Sequence, residues 1–384
     1  MKKICIIAED MKMAGVQVSL AALLNNLDYS QYKVDLYLIS KKGEILDQIP
    51  ENVRVKEIRF KKEYLRHFVY YKKVDSVGMF FTKVKKAFFL LRYHQKGIKN
   101  YYYEKLLDYV EIDEPECDIA IDFLGYGRFT TAIVAKKFIA AKKAVWFHDE
   151  DIQWIKKVED YLPQFQKLFC VSKSVEIELA SMHPEYKNKI EIFYNPVNAK
   201  QIRDKALEKL QQRINDNYCI VSVGRLEYQK GFDIALDAAK ILSEKNVDYT
   251  WYIAGEGAAR KELVNKIEKY HLQNRVILLG MIDNPYPLIK QCDIYVQPSR
   301  HEGYGLTVME ARSLARPIIV TQIPSLCEQI HDNINGFVAE LNAESIANKI
   351  IEVYHDSSVC ESVINNLKHE EINYLTELNK IYTM

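Results

Sequence analysis

Glycine and proline are both scarce in this 384-residue chain, with 14 and 10 residues. Both fall well below their usual shares, which argues against a loop-rich or all-β protein. No apolar run approaches the length needed to cross a bilayer, so no membrane span is expected. Met-Lys-Lys is followed only by Ile4–Ala8 before Glu9 and Asp10, too short a run for the core of a signal peptide. Net charge is nearly absent: 53 Lys+Arg against 52 Asp+Glu leave +1, so the whole chain is not a polyanion binder. The seven cysteines (Cys5, Cys117, Cys170, Cys219, Cys292, Cys327 and Cys360) are odd in number and show no C-x-x-C spacing. A disulfide framework or zinc site is not expected, and reduced core thiols in a cytoplasmic protein are. What remains is an ordinary globular composition, 48% hydrophobic and 27% charged, in a chain long enough for two self-sufficient cores.

Short apolar runs alternate with longer amphipathic stretches. Ile4–Ala8, Val34–Ile39, Val53–Ile58, Ile119–Phe123, Ala144–Phe147, Leu168–Val171 and Ile190–Tyr194 read as strands, with a helix over Val16–Leu27. A second series has strands at Cys219–Val223, Thr250–Ala254, Val276–Leu279, Ile294–Gln297 and Pro317–Thr321. Helices are expected between them at Asp233–Lys245, Ala258–Lys269, Leu306–Leu314 and Ser325–Ile330, after a polar helix-like stretch around 199–216. This βαβ rhythm predicts two α/β domains with mostly parallel, doubly wound sheets. We divide the chain at 1–197, 198–365 and a C-terminal helix at 366–384, with the hinge near Pro196.

Residues 54–105 interrupt the first series. They hold 15 Lys/Arg and four acids, a local +11 against −10 for the rest, with 13 aromatics interleaved. Lys/Arg suit anionic lipid head groups and aromatics suit the bilayer interface, so peripheral membrane or acceptor contact is expected here. A solvated helical face over a tyrosine-rich core is the plainer alternative. No recognisable nucleic-acid module accompanies the patch, so nucleic acid is not expected as a partner.

The densest signal is Ser299-Arg-His-Glu-Gly-Tyr-Gly-Leu-Thr-Val-Met-Glu310. It follows a strand and opens a helix. Gly303 and Gly305 allow close backbone approach, and the amides of Gly305, Leu306 and Thr307 make an anion site. Glu302 and Glu310, eight apart, suit hydroxyls of a ribose or hexose better than phosphate. Such a spacing alone would fit a capped loop with surface glutamates; the strand, the glycines and the helix make it specific. A second signal is Gly224-Arg225 with Lys230-Gly231, placing two cations at the C-terminal sheet edge, where open α/β folds bind ligands. Two cations there suit a diphosphate. Ala254-Gly255-Glu256-Gly257 reads as a tight turn first.

In the first domain Met13-Ala14-Gly15-Val16 is not G-x-G-x-x-G, which counts against a dinucleotide oxidoreductase. His148 ends a strand and is a candidate polar contact at the cleft, although lone histidines are more often structural. Asp149-Glu150-Asp151 matches a metal–diphosphate pattern, but a helix N-cap followed by acids explains it, and Arg225, Lys230 and a helix terminus would neutralise a diphosphate without metal.

Together these residues resemble the GT-B-fold, retaining glycosyltransferases of family 4, the "glycosyl transferases group 1" set. The matches are Gly224-Arg225, Lys230-Gly231, Ala254-Gly255-Glu256-Gly257, Asp293, Pro298-Ser299, Glu302-Gly303-Tyr304-Gly305-Leu306 through Glu310-Ala311, and Pro317. They cover about residues 215–340; the Gly15 loop, His148 and Tyr194-Asn195-Pro196-Val197 agree more loosely. The resemblance implies two Rossmann-like domains facing a central cleft. It implies that Arg225 and Lys230 bind the donor diphosphate and that Glu310 binds the ribose. Glu302 and the Gly303–Leu306 backbone would hold sugar and phosphate, His148 would contact the donor sugar near its reacting carbon, and Gly15 would let its loop close on the diphosphate. Where the family carries a second glycine beside the first-domain one, this chain has Ala14.

The implied reaction is a hexosyl or N-acetylhexosaminyl transfer, with retention, from an NDP-sugar, expected to be UDP-linked. The acceptor would be a glycan or a polyprenyl-diphosphate-linked glycan in surface polysaccharide, capsule or glycolipid synthesis. No metal or other cofactor is expected, and the implied location is the cytoplasm, peripheral on the inner face of the membrane. Two other readings stay open: a non-catalytic GT-B-like partner subunit, which could lose Arg225, Lys230 or Glu310 freely, and a GT-B-fold sugar-nucleotide epimerase, which would need no acceptor element.

Overall fold

A computed structural model describes residues 1–66, 84, 101–210, 214, 215, 217–370 and 374–384. The chain divides into two compact units, Met1–Pro196 with Tyr374–Met384, and Val197–Asn373. Among the described residues no helix is long and apolar enough to cross a membrane.

The first unit is built on β1 (Lys2–Ala8), β2 (Tyr32–Leu38), β3 (Val53–Glu57), β6 (Glu116–Asp122), β7 (Ile139–Phe147), β8 (Lys167–Cys170) and β9 (Ile190–Ile192). They form one sheet in the order β3-β2-β1-β6-β7-β8-β9, every pair parallel. A small antiparallel pair, β4 (Arg59–Phe60) and β5 (Val110–Glu111), lies outside it. Runs such as Ile4–Ala8 are buried on both faces, as a parallel sheet covered by helices requires. Its described helices before Pro196 are α1 (Gly15–Asn26), α2 (Tyr101–Leu107), α3 (Phe129–Lys137) and α4 (Lys173–Met182). Strand order turns outward from β1 in both directions, so the β1/β6 junction is a topological switch point.

The second unit repeats the plan. Its helices are α5 (Ala199–Lys205), α6 (Phe232–Glu244), α7 (Arg260–Lys269), α8 (Tyr286–Gln291), α9 (Leu306–Ser313), α10 (Pro324–Cys327), α11 (Ala343–His355) and α12 (Ser357–His369). Its strands are β10 (Tyr218–Val223), β11 (Tyr249–Ala254), β12 (Val276–Gly280), β13 (Ile294–Gln297), β14 (Ile318–Thr321) and β15 (Phe337–Ala339). They run parallel in the order β12-β11-β10-β13-β14-β15, with a switch point at β10/β13. Helix α6 shows how sequence sets packing: Phe232, Ala235, Leu236, Ala239 and Leu242 share one buried stripe at helical spacing.

Helix α12 continues through residue 365 to His369 within the second unit. The last helix, α13 (Leu375–Tyr382), belongs to the first unit. There the Glu377 carboxylate accepts from Tyr194 N at 2.9 Å, Lys380 Nζ donates to Ile192 O at 2.8 Å, and Tyr382 stacks on Tyr32 at 4.5 Å. The strands expected from apolar runs are present. Among the described residues of the 199–216 stretch only Ala199–Lys205 is helical, and α10 is shorter than the expected Ser325–Ile330 helix.

Candidate functional site

At the C-terminal edge of the second sheet, the β10–α6 loop carries Gly224, Arg225 and Lys230, and the β13–α9 loop carries Glu302 to Gly305. Lys230 Nζ donates to both carboxylate oxygens of Glu302, at 2.7 and 2.8 Å, and both side chains are largely buried. Glu302 Oε1 also accepts from Ser299 Oγ at 2.7 Å and from Gln297 Nε2 at 3.3 Å. Gln297 is in turn fixed through its Oε1 by Tyr295 OH at 2.7 Å and Thr307 Oγ1 at 3.1 Å. This buried chain, with its donors paired to acceptors, holds Glu302 and Thr307 in one geometry. Arg225 stands outside it: its side chain is 67% exposed and, among the described residues, reaches only Glu227, at 3.1 Å. The expected pair of free cations is therefore one exposed arginine and one lysine already balanced by a carboxylate.

The two loops are welded together. Gly231 has φ +66°, and a Cβ there would collide with the Pro298 carbonyl. Arg300 N donates to Gln229 O at 2.8 Å, and its guanidinium grips Asp233 bidentately at 2.7 Å while covering the Tyr228 ring at 3.9 Å. Gly255 and Gly257 are demanded by packing, since a Cβ on either would strike the backbone of Gly224 or Leu226. Gly224 is different: a Cβ would meet only the Phe232 ring and the Lys230 stem at ordinary distances.

Helix α9 opens at Gly305, φ +83°, without a side-chain cap or an acid in its first turn. Gly303 and Tyr304 are buried beside it, with the Tyr304 carbonyl accepting from Gln329, while Leu306 and Thr307 are half-buried. The first-turn amides remain as donors for an anion. One turn on, buried Glu310 accepts from Tyr286 OH at 3.1 Å. Burial pushes its carboxyl up to about 7, against the pull of the Tyr286 hydroxyl.

The first unit has its own edge. Gly15 begins α1 behind Ala14, again without a side-chain cap. His148, at the end of β7, is 6% exposed; its Nε2 lies 2.6 Å from Phe123 O, so Nε2 carries the proton and Nδ1 is an acceptor. Burial holds the imidazole down to about 4, so it is neutral at physiological pH, and among the described residues Nδ1 has no hydrogen-bond partner. Asp149 and Asp151 accept backbone N–H groups two residues on, from Asp151 N and Gln153 N. They form Asx turns rather than the expected helix cap, which falls at Ile152 without a side-chain bond. Among the described residues no group of three or more His, Cys, Asp or Glu is placed to hold a metal ion.

Most of the basic segment 54–105, residues 67–83 and 85–100, lies outside the described residues. In the part described, Arg54 and Lys56 pair with Asp35 and Glu114, Arg59 with Asp113, Arg66 with Glu57 and Glu63, and Lys105 with Asp108. Local positive charge is thus offset by acids, several from beyond the segment. Sequence reasoning gave no role to Tyr286, Glu9 or Arg128. Glu9, directly after β1, sat at a position that flags a ligand edge; Tyr286 and Arg128 matter through partners distant in sequence, Glu310 and Glu9.

Residues 204–370, under half of the chain, match the family model "Glycosyl transferases group 1". The chain is 31% identical over 224 residues to the uncharacterized glycosyltransferase MJ1607 of Methanocaldococcus jannaschii, covering 55% of this chain and 57% of that protein. It is 24% identical over 232 residues to the capsular polysaccharide biosynthesis glycosyltransferase CapM of Staphylococcus aureus, covering 56% and 61%. The match thus spans less than two thirds of either relative. The structure of Anabaena Alr3699/HepE in complex with UDP and glucose superimposes with a TM-score of 0.70 at 16% identity, covering 100% of this chain and 99% of that one. Residues 204–370 therefore carry the glycosyl transferases group 1 signature, on a chain with the α/β GT-B fold.

Proposed function

We propose that this protein is a retaining glycosyltransferase that moves a hexose or N-acetylhexosamine from a UDP-sugar to a glycan or lipid-linked acceptor in surface polysaccharide or glycolipid synthesis. The observation that carries the reading is the second unit's sheet edge, where the Lys230–Glu302 pair, the uncapped start of α9 and buried Glu310 lie on two welded loops. CapM's part in capsule synthesis and the UDP and glucose bound to HepE support the pathway class and the nucleotide.

Glu310 takes the ribose hydroxyls, accepting hydrogen bonds from them once ionised. The amides of Leu306 and Thr307 and the Arg225 guanidinium take the diphosphate. Lys230 is shared between the β-phosphate and Glu302, so charge that develops on the leaving phosphate draws Lys230 toward it without a large rearrangement. The bond between the sugar's anomeric carbon and the β-phosphate oxygen breaks. The acceptor oxygen bonds to that carbon on the same face, and its proton passes to the departing phosphate. No carboxylate nucleophile and no metal is needed, because Arg225, Lys230 and the helix start supply the positive charge. His148 contributes as a neutral acceptor for a donor-sugar hydroxyl. We place the protein at the cytoplasmic membrane face, with residues 54–105 as the lipid or acceptor contact.

A panel of UDP-Glc, UDP-Gal, UDP-GlcNAc, UDP-GalNAc and GDP-Man, read by thermal shift and donor hydrolysis, tests this. One sugar nucleotide should stabilise the wild type, with the shift lost in Glu310→Ala and Arg225→Ala. A flat response to every nucleotide would move the weight to a non-catalytic subunit.

A further inference from the structure

The first unit's switch point holds an acid–base couple, Glu9 and Arg128, that the donor chemistry does not use. Glu9, directly after β1, is 8% exposed, and both its carboxylate oxygens face Arg128 Nη1, at 3.1 and 2.9 Å. Arg128 is half-exposed, and among the described residues the bonds it makes run through Nη1, leaving Nε and Nη2 as further donors. Asp10, 4% exposed, is balanced by Lys12 at 3.0 Å.

One loop joins this couple to His148, which serves the donor sugar. Phe123 O holds His148 Nε2, its Nδ1 has no hydrogen-bond partner among the described residues, and the Tyr126 ring stands beside that imidazole at 6.0 Å. Arg128 ends the same loop. Gly125, Tyr126 and Gly127 have φ of +60°, +54° and +58°, and a bulky residue such as Tyr is seldom left-handed. Buried Asp122 pins the turn through Gly125 N at 3.4 Å and Thr131 Oγ1 at 2.6 Å. Strain of this kind persists where the surroundings impose it, and it aims Arg128 at Glu9.

We propose that the Glu9–Arg128 couple at the β1/β6 switch point is a sugar-hydroxyl subsite that takes a neutral pyranose of the acceptor. The inference rests on the transferase reading and goes beyond it by naming the chemistry of the group received. A carboxylate beside a guanidinium offers an acceptor and a donor to neighbouring hydroxyls, and the Tyr126 ring lies two residues from Arg128 on the same loop. Charge balance decides against an anionic group. Arg128 is neutralised by Glu9 and Lys12 by Asp10, so a carboxylate or phosphate would bring an uncompensated charge against two buried acids. A diphosphate on a lipid carrier must then bind elsewhere, while its terminal sugar binds here.

The test uses the full chain and saturation-transfer NMR with methyl glucopyranoside, methyl galactopyranoside, methyl 2-acetamidoglucopyranoside and methyl glucuronide. A neutral glycoside should receive saturation from the wild type. Glu9→Gln and Arg128→Met should each weaken it about tenfold or more, the scale of a lost charged hydrogen bond. Arg128→Lys, which keeps the charge and guards against misfolding, should weaken it less. The UDP-induced thermal shift should stay as in the wild type in all three. Wild-type binding in Arg128→Met and Glu9→Gln overturns the proposal, as does saturation of the glucuronide alone or of no glycoside. Failure of UDP to bind the wild type would sink the transferase reading separately, because the glycoside arm needs no nucleotide.

Discussion

The two cations picked out at the second sheet edge are chemically unlike once folded. Lys230 balances a carboxylate that is almost fully buried, so Lys230→Ala should cost about 3–5 kcal/mol by stranding Glu302. Arg225 is an exposed side chain with one local partner, and Arg225→Ala should change stability by no more than about 0.5 kcal/mol. Urea unfolding separates the two, while calorimetry should show both weakening UDP. Glu310 adds a pH signature. Its folded carboxyl titrates near 7 against an ordinary 4.5, so the folded chain keeps a proton that the unfolded chain loses in that window. Glu310 therefore makes stability fall as pH rises through the window. A ribose-binding carboxylate must be ionised to accept hydrogen bonds from two hydroxyls, so UDP affinity should rise as pH climbs past about 7. Titrations at stepped pH should show that rise in the wild type and none in Glu310→Gln.

At the scale of elements, glycines divide into those the fold needs and those it does not. Gly231→Ala forces a Cβ onto Pro298 O in left-handed backbone and should cost about 1–3 kcal/mol, separating the Lys230 and Glu302 loops. Gly224→Ala finds only ordinary contacts, so its melting temperature should match the wild type within about 2 °C, and any effect should appear in nucleotide binding. Paired melting curves and UDP titrations decide this. The parallel strands were legible because buried β-strands read as continuous β-branched runs between glycine-marked turns. Three-residue β15 and one-turn α10 are too short to show a period, and the helix that opens 199–216 ends at Lys205, two turns long.

Across the whole molecule, α13 completes the first unit from the far end of the chain. Truncation after residue 373 should remove the Glu377–Tyr194, Lys380–Ile192 and Tyr382–Tyr32 contacts. Calorimetry should then show a lower first-unit transition with the second unit's unchanged. The membrane proposal for segment 54–105 rests on its run of lysines, 15 Lys/Arg against four acids. Replacing Lys72, Lys73, Lys83, Lys85 and Lys86 by Gln should reduce flotation with anionic vesicles and leave neutral vesicles unaffected, an effect that salt also suppresses. Replacing Arg54, whose guanidinium is bidentate to fully buried Asp35, should instead lower stability.

Local pattern alone determined the α/β architecture, the two strand series and the glycine-rich helix start around Glu302 to Gly305, because burial and backbone conformation leave their mark within a few residues. Tertiary structure decided which charges meet. Glu302 lies 72 residues from Lys230, and Arg128 lies 119 from Glu9. Pairing at 3 Å depends on strand order and loop packing, to which residue type and spacing along the chain are blind. The same holds for His148: its identity could be read directly, but the neutral tautomer with an open Nδ1 follows from burial against one carbonyl, that of Phe123.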